Sequence, residues 1–351
     1  MLEKSGRQAL AVQFATEVNF LIHSTTALDI KYTITDPVLH FGARDGSAGI
    51  ACGPEHFVGA TDEDNILRLY PAAGGTVGGK LLNLNDWGLF PKKLKHDGVT
   101  FKEADIESAV RIGDVIYWIS SHARDSDKQV RKERLALFAT MITGSGADTK
   151  LETTGEPYTQ LVEDIMADKR LKFLQDAVLA EKAPKEEGGF NIESLCAEGD
   201  VLYIGFRNPI VDGKAILVPL MNPSAMIHDG ERAVLGSPIR LDLGGLGFRD
   251  MVKWRGGFLI LAGDYRDRFE DPGANAPKLY QWSGKRDEPP VEMEVDLGDL
   301  NPEAALVFGG AEDGRVLLLS DDGKWNVQRG GNRKTTPGRE RRFRSVWLEA
   351  G

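Results

Sequence analysis

A disulfide scaffold is closed to this chain from the outset. Its 351 residues include only two cysteines, Cys52 and Cys196, too few for a stapled scaffold. Histidine is scarce too, with six residues and none at the short spacings of a zinc site. No apolar run approaches the ~18 residues that a spanning helix requires, so no membrane association is expected. Positive charge is in deficit: Lys and Arg number 43 against 53 Asp and Glu, a net charge of −10. Duplex nucleic acid is therefore not an expected partner, because phosphate binding is driven by Lys and Arg. There is no Gly-x-Ser-x-Gly elbow and no phosphate loop. Gly244-Gly245-Leu246-Gly247 leads into a further strand pattern rather than a helix, against a dinucleotide fingerprint. Near the N-terminus Lys4 and Arg7 precede ALAVQFA, but Gln13 and Glu17 interrupt the apolar stretch and no small-x-small cleavage site follows. Residues 1–38 read as an extension and not a signal peptide, and a reduced, cytoplasmic location is expected.

What is present is glycine, 40 residues of it, and a recurring unit. Five segments share one grammar: Ser47–Asp64, Asp105–Asp125, Asn191–Pro209, Phe248–Asp267 and Pro302–Lys324. Each opens on a small or acidic residue, continues as a short apolar strand, turns through Gly-Pro, Gly-Asp, Gly-Gly or Asp-Gly, and returns as a strongly aliphatic strand. The returning strands are FVGA, VIYWIS, VLYIGF, FLILAG and VLLLS. Third strands follow (ILRLY, RLALFATM, AILVPL, KLYQW, KWNVQ), and fourth candidates close most units (GKLLNL, PIRLDLG, VEMEVDL, RSVWLEA). Anchors at Ser47, Glu107, Glu193, Asp250 and Glu303 lie 60, 86, 57 and 53 residues apart in the numbering. Four short antiparallel strands repeated radially define an all-β fold, a β-propeller of five blades. Residues 8–42 hold strand-like material for a sixth blade or for one strand that closes the ring. Two separate β-sandwiches would need a linker or composition break, and none is present. The long second interval is explained by Glu156–Lys182, whose Leu161, Ile165, Leu171, Leu174 and Val178 recur at mostly helical spacing. The expected organisation is an extension over 1–38, then a propeller over 39–351 with a helical insert at 156–187.

In an antiparallel hairpin the start of the first strand lies beside the end of the second. Applied to every unit, this delivers strand starts and strand ends to one mouth of the central channel. Glu107, Glu193, Asp250 and Glu303 are the candidate carboxylate ring, of a kind that suits Ca²⁺ ahead of Mg²⁺. His122, Arg124, Arg207, Arg249 and Asp62 are the candidate ligand-binding groups beside it. Arginine recognises carboxylate and phosphate bidentately, so a small anionic or polyhydroxylated molecule is the expected ligand. Crowded carboxylates raise some of one another's pKa values and supply a general base. Each of these residues also has a purely structural reading: acidic strand starts accept backbone hydrogen bonds from the next blade, and Arg207 with Glu193 makes an interblade salt bridge. Trp118, Trp254, Trp282, Trp325 and Trp347 fall on strands and read as blade packing. The basic segment 329–344 reads as a solvated loop.

NIESLCAEGDVLYIGFRNPIVDGKAILVPLMNP (Asn191–Pro223), SPIRLDLGGLGFRDMV (Ser237–Val252) and DIESAVRIGDVIYWISSHAR (Asp105–Arg124) resemble an uncharacterised bacterial β-propeller family, a domain of unknown function. Its usual pattern is Asn-Ile-Glu-Gly-Leu followed by Gly-Phe-Arg-x-Pro. Ser194 stands here where glycine is usual, and Ser108 in the equivalent place. The resemblance runs from Leu39 to the C-terminus. The family is similar in repeat grammar to esterase-like phytase propellers and, more distantly, to calcium-dependent apyrase propellers, in which acidic strand-start residues hold a central metal. It implies the fold and assigns no reaction. Two functions follow as expectations: a calcium-assisted phosphoester or ester hydrolase at the channel mouth, or a non-catalytic scaffold that presents the helical insert or the basic segment to a protein partner.

Overall fold

The computed structural model describes residues 31–88, 92–95, 98–267, 271, 273–323 and 340–350. Two short strands come first, β1 (Tyr32–Ile34) and β2 (Val38–Phe41). Four four-stranded antiparallel sheets follow in sequence order. Blade one is β3 (Ala48–Ala51), β4 (His56–Ala60), β5 (Ile66–Pro71) and β6 (Gly79–Asn83). After a hairpin of β7 (Lys92–Lys95) and β8 (Gly98–Phe101), blade two is β9 (Ile106–Ile112), β10 (Val115–Ser120), β11 (Leu137–Thr143) and β12 (Lys150–Tyr158). Blade three is β13 (Asn191–Glu198), β14 (Val201–Val211), β15 (Lys214–Leu220) and β16 (Ile239–Leu241). Blade four is β17 (Gly247–Trp254), β18 (Gly257–Gly263), β19 (Lys278–Trp282) and β20 (Val291–Met293). Blade five is β21 (Pro302–Phe308), β22 (Arg315–Ser320) and β23 (Arg342–Ala350), and both β1 and β2 pair antiparallel with β23. The chain is a five-bladed β-propeller.

RSVWLEA, expected as a fourth strand, is the third strand of blade five; the outer edge comes from the N-terminal strands. Mixing the two ends of the chain in one blade closes the ring and leaves fewer bare strand edges. KWNVQ, Trp325 and residues 329–339 of the basic segment lie outside the described residues, as do residues 1–30 of the extension. The described end of the basic segment is not a solvated loop: Arg344 opens the blade-five side of β23 and is buried.

The continuous aliphatic character of the second strands follows from their position. Each blade is packed on both faces, so a strand inside it has no solvent side. In β22, Val316 and Leu318 join Leu259 and Leu261 of blade four, while Leu317 and Leu319 join Phe57 and Tyr70 of blade one. In β18, Phe258, Ile260 and Ala262 face blade three and Leu259 and Leu261 face blade five. One apolar cluster fills each of the five seams among the described residues, including the closing seam between blades five and one. Trp118 stacks on Phe138, and Trp282 packs at a tilt against Phe258, within these seams. Both cysteines are free and buried. Hairpin turns use left-handed pairs such as Asp212 and Gly213, at φ 53° and 74°, whose twist matches the strands they join.

The helical segment begins later than its periodicity suggests. Residues through Tyr158 extend β12, and the helices are α1 (Leu161–Ala167) and α2 (Lys172–Leu179), between blades two and three. Leu161, Ile165, Leu171 and Leu174 are buried in that seam. A third helix, α3 (Pro223–His228), joins β15 to β16. Among the described residues no helix is long and apolar enough to cross a membrane.

Candidate functional site

A β-bulge near the start of the inner strands builds the mouth. In β9, Ile106 pairs with Ser120 and Ser108 with Ile119, which leaves Glu107 as the extra residue. The same slip leaves Glu193 extra in β13, Arg249 in β17 and Glu303 in β21. A bulged residue is released from strict alternation and re-aimed, a common device near functional sites. The four equivalent positions are therefore Glu107, Glu193, Arg249 and Glu303. Asp250 falls one position further along, with Ser108, Ser194 and Ala304. Matching the apolar residues, Phe248-Arg249-Asp250-Met251 against Ile192-Glu193-Ser194-Leu195, is the signal that gives this register.

The shift changes what the expected carboxylate ring does. Asp250 is buried and spent on structure: it accepts from Ala305 N at 2.9 Å, Met251 N at 2.9 Å and Ser108 Oγ at 3.0 Å. Burial pushes it up to about 7, against the pull of these three hydrogen bonds. Ser108 also accepts from Leu195 N at 2.9 Å, so blades two, three, four and five are tied below the mouth. Glu193 and Glu303 are held by arginine. Arg249 Nη1 lies 3.0 Å from Glu193 Oε2, and Arg249 Nη2 pairs with Glu303. Arg207 Nη1 lies 2.7 Å from Glu193 Oε1, and its other nitrogens donate to the carbonyls of Asp264 and Arg266 at 2.8 and 3.1 Å. Gly263 makes room for this chain: a Cβ there would stand 2.9 Å from Arg249 Cγ. The result is a buried run of alternating charge, Arg207–Glu193–Arg249–Glu303, across blades three to five.

Around it, Asp264 binds Arg266 and Asn275; despite burial, these partners bring it down to about 2. Arg207, Arg249, Asp264, Arg266, Glu303 and Asp321 line this half of the mouth. Asp322 does not, because Arg344 and Ser320 hold it within blade five.

Blades one and two line the other half with Arg44, Asp62, Glu63, Asp105 and Arg134. Arg44 Nη1 donates to both oxygens of Glu63 at 2.9 Å, and Arg134 Nη1 lies 2.8 Å from Asp105 Oδ2. Arg134 gave no signal in the sequence, since it lies in the irregular run before β11. Glu107 and Asp62 are half-buried here. Among the described residues no hydrogen bond or ion pair ends on the Glu107 carboxylate. Burial and the charges of Asp105, Glu193 and Asp62 push it well above the usual carboxylate range. Burial, Asp105, Asp321 and Glu63 push Asp62 up to about 7, and Asp45 beneath it is raised by burial and by Asp62. No group of three or more His, Cys, Asp or Glu among the described residues is arranged to hold a metal ion. Glu107, Glu193, Asp250 and Glu303 do not form the cation ring expected of them, because two are paired with Arg249 and one faces the neighbouring blade.

The remaining expected residues divide. Arg124 is turned away to Glu181 and the Lys128 carbonyl, both at 2.9 Å. His122 is buried, with Nδ1 2.8 Å from the Ser120 carbonyl and no partner on Nε2. A carbonyl only accepts, so Nδ1 carries the proton and Nε2 presents a lone pair. Burial drops the ring to about 4, which keeps it neutral. His122 and Asp105 both hold left-handed backbone, φ 53° and 57°, and such strain in non-glycine residues costs ~1–3 kcal/mol and gathers at functional sites.

This is a closed propeller whose polar mouth gathers described side chains from all five blades. The chain belongs to the family described as a protein of unknown function, DUF3616, whose family model matches residues 139–315. No curated protein matches the sequence. Among solved structures it is similar to glutaminyl cyclase of Myxococcus xanthus, at 13% identity over 92% of this chain and 99% of that one, TM-score 0.43. It is also similar to the PQQ-bound aldose sugar dehydrogenase of Streptomyces coelicolor, at 11% identity over 91% and 99%, TM-score 0.39. A third likeness is to arabinanase Arb43A of Bacillus subtilis, at 8% identity over 90% and 95%, TM-score 0.39.

Proposed function

We propose that the mouth binds a small polar molecule through hydroxyl or cationic groups, and not through an anion. One observation carries this reading. Each arginine lining the mouth already has a carboxylate: Arg44 and Arg341 with Glu63, Arg134 with Asp105, Arg207 and Arg249 with Glu193, and Arg266 with Asp264. Among the described residues Glu107 makes no such ion pair, and Arg249 acts on it only at longer range. An anionic ligand would meet uncompensated acid and spent guanidinium groups, whereas hydroxyl donors would meet free acceptors. Glu107, keeping its proton to higher pH than an ordinary carboxylate, also has the character of a general acid toward a neutral ester. Calcium, suggested by the resemblance to phytase and apyrase propellers, does not fit the side chains as they stand, and no step is derived through it. The helical insert spends its apolar face on the seam between blades two and three, which leaves the scaffold reading less surface to stand on.

Calorimetric titration with glucose, glucose 6-phosphate and calcium chloride tests the reading. Glucose is expected to bind, with affinity reduced in Glu107→Gln, and glucose 6-phosphate to bind at least about tenfold more weakly. Tighter binding of the phosphate, or a calcium isotherm lost in Glu193→Gln, overturns it.

A further inference from the structure

We propose that the ligand of this mouth carries a primary ammonium group on a hydroxylated carbon skeleton, as an amino sugar or amino alcohol does, and that the ammonium seats where blades two and three meet. The inference rests on the reading of the mouth as a small-molecule site and names the chemistry of its occupant.

Three acceptors carry it. Asn191 is 4% exposed and its Oδ1 has no hydrogen-bond partner. Its Nδ2 donates to Glu193 Oε1 at 2.7 Å, so the orphaned oxygen stands one amide width from a carboxylate of the mouth. His122, also 4% exposed, presents an unprotonated Nε2 with no partner. Its strand end is joined to the same seam, since Ile192 N donates to the Ser121 carbonyl at 2.9 Å. Glu107, the bulged residue of blade two, lies close enough to Glu193 for the two charges to oppose each other.

Buried acceptors without donors are uncommon, and each asks for an explanation. Asn191 Oδ1 and His122 Nε2 only accept, and a neighbouring ammonium favours the ionised form of Glu107, in which it accepts too. An ammonium offers three donors and a positive charge, and neighbouring hydroxyls offer further donors. A bare metal ion answers the same charge but needs its ligands gathered on one point, an arrangement absent among the described residues. A molecule that spreads its donors over several atoms suits acceptors placed on Glu107, His122 and Asn191. The excess of carboxylate over guanidinium at blades one and two also draws cations toward this side.

The test is a calorimetric comparison of glucosamine, glucose and N-acetylglucosamine, which share a skeleton and differ in the charged amine. Glucosamine is expected to bind about tenfold or more tightly than the other two, the worth of one charge-assisted contact. Glu107→Gln, which removes no protein contact, is expected to cut that preference to below about threefold, and Asn191→Ala to do the same. Equal binding of glucose and glucosamine overturns the ammonium assignment and leaves the mouth reading intact. Binding of none of the three, with glucose 6-phosphate also silent, overturns both. A glucosamine preference that survives unchanged in Glu107→Gln and Asn191→Ala places the amine elsewhere and overturns the proposed seat.

Discussion

Blades two to five share one bulge, and the two halves of the mouth finish it in opposite ways. On blades three to five the released residues satisfy one another: Glu193 and Glu303 share Arg249, and Arg207 closes the run onto the carbonyls of blade four. On blades one and two the released carboxylate is left over. Among the described residues Glu107 has no hydrogen-bond or ion-pair partner, Asp62 is crowded by Asp105, Asp321 and Glu63, and His122 and Asp105 hold strained backbone. A protein under selection for stability alone would pair such groups or replace them. On the proposed reading the first half is structure and the second is where a ligand completes the set.

The comparison breaks most visibly at Arg249. Arg249→Ala leaves half-buried Glu303 without its arginine and buried Glu193 with Arg207 alone, and the expected loss is about 3 kcal/mol in urea unfolding at neutral pH. A loss below about 1 kcal/mol would mean that the charge run is ornamental and that both halves are alike. A smaller effect is expected below the mouth. Asp250→Ala leaves the Ala305 and Met251 N–H groups without their acceptor, and a loss of about 2–3 kcal/mol should appear in the same measurement. Ser108→Ala, which removes one of Asp250's donors and the acceptor of Leu195 N, should lose about 1 kcal/mol. If Ser108→Ala costs more than Asp250→Ala, the tie across the channel is organised around the serine instead.

Much of the architecture is legible before any coordinates. FLILAG and VLLLS carry no polar alternation because blades cover both faces, and five such strands, each after a tight turn, count the blades. What the order of strands along the chain does not carry is which ends meet. RSVWLEA pairs with β22 on one side and with β1 and β2 on the other, and that choice depends on ring closure between residues three hundred positions apart. Which residues stand at the strand starts was legible to within one position. Strand starts and ends do converge on one opening, but the bulge puts Arg249 where Asp250 was expected, and this converts a row of acids into an ion-pair run. The missing partners of Asn191 and His122 are a tertiary fact, visible only when blades two and three are brought together.

The central claim, that Glu107 and Asp62 are held against the interests of stability, has a direct test in the unfolding free energy of the double variant Glu107→Gln, Asp62→Asn at pH 5 and pH 8. Both carboxyls keep their protons in the folded chain to higher pH than when unfolded, so they favour the fold in acid. That contribution falls away as pH rises from about 4 through the folded value of about 7 for Asp62. The account predicts a variant within about 0.5 kcal/mol of wild type at pH 5 and more stable by about 1 kcal/mol at pH 8, a figure reduced for solvent screening of half-buried groups. A variant less stable than wild type at pH 8 would contradict it, and would place these carboxylates with the structural half of the mouth.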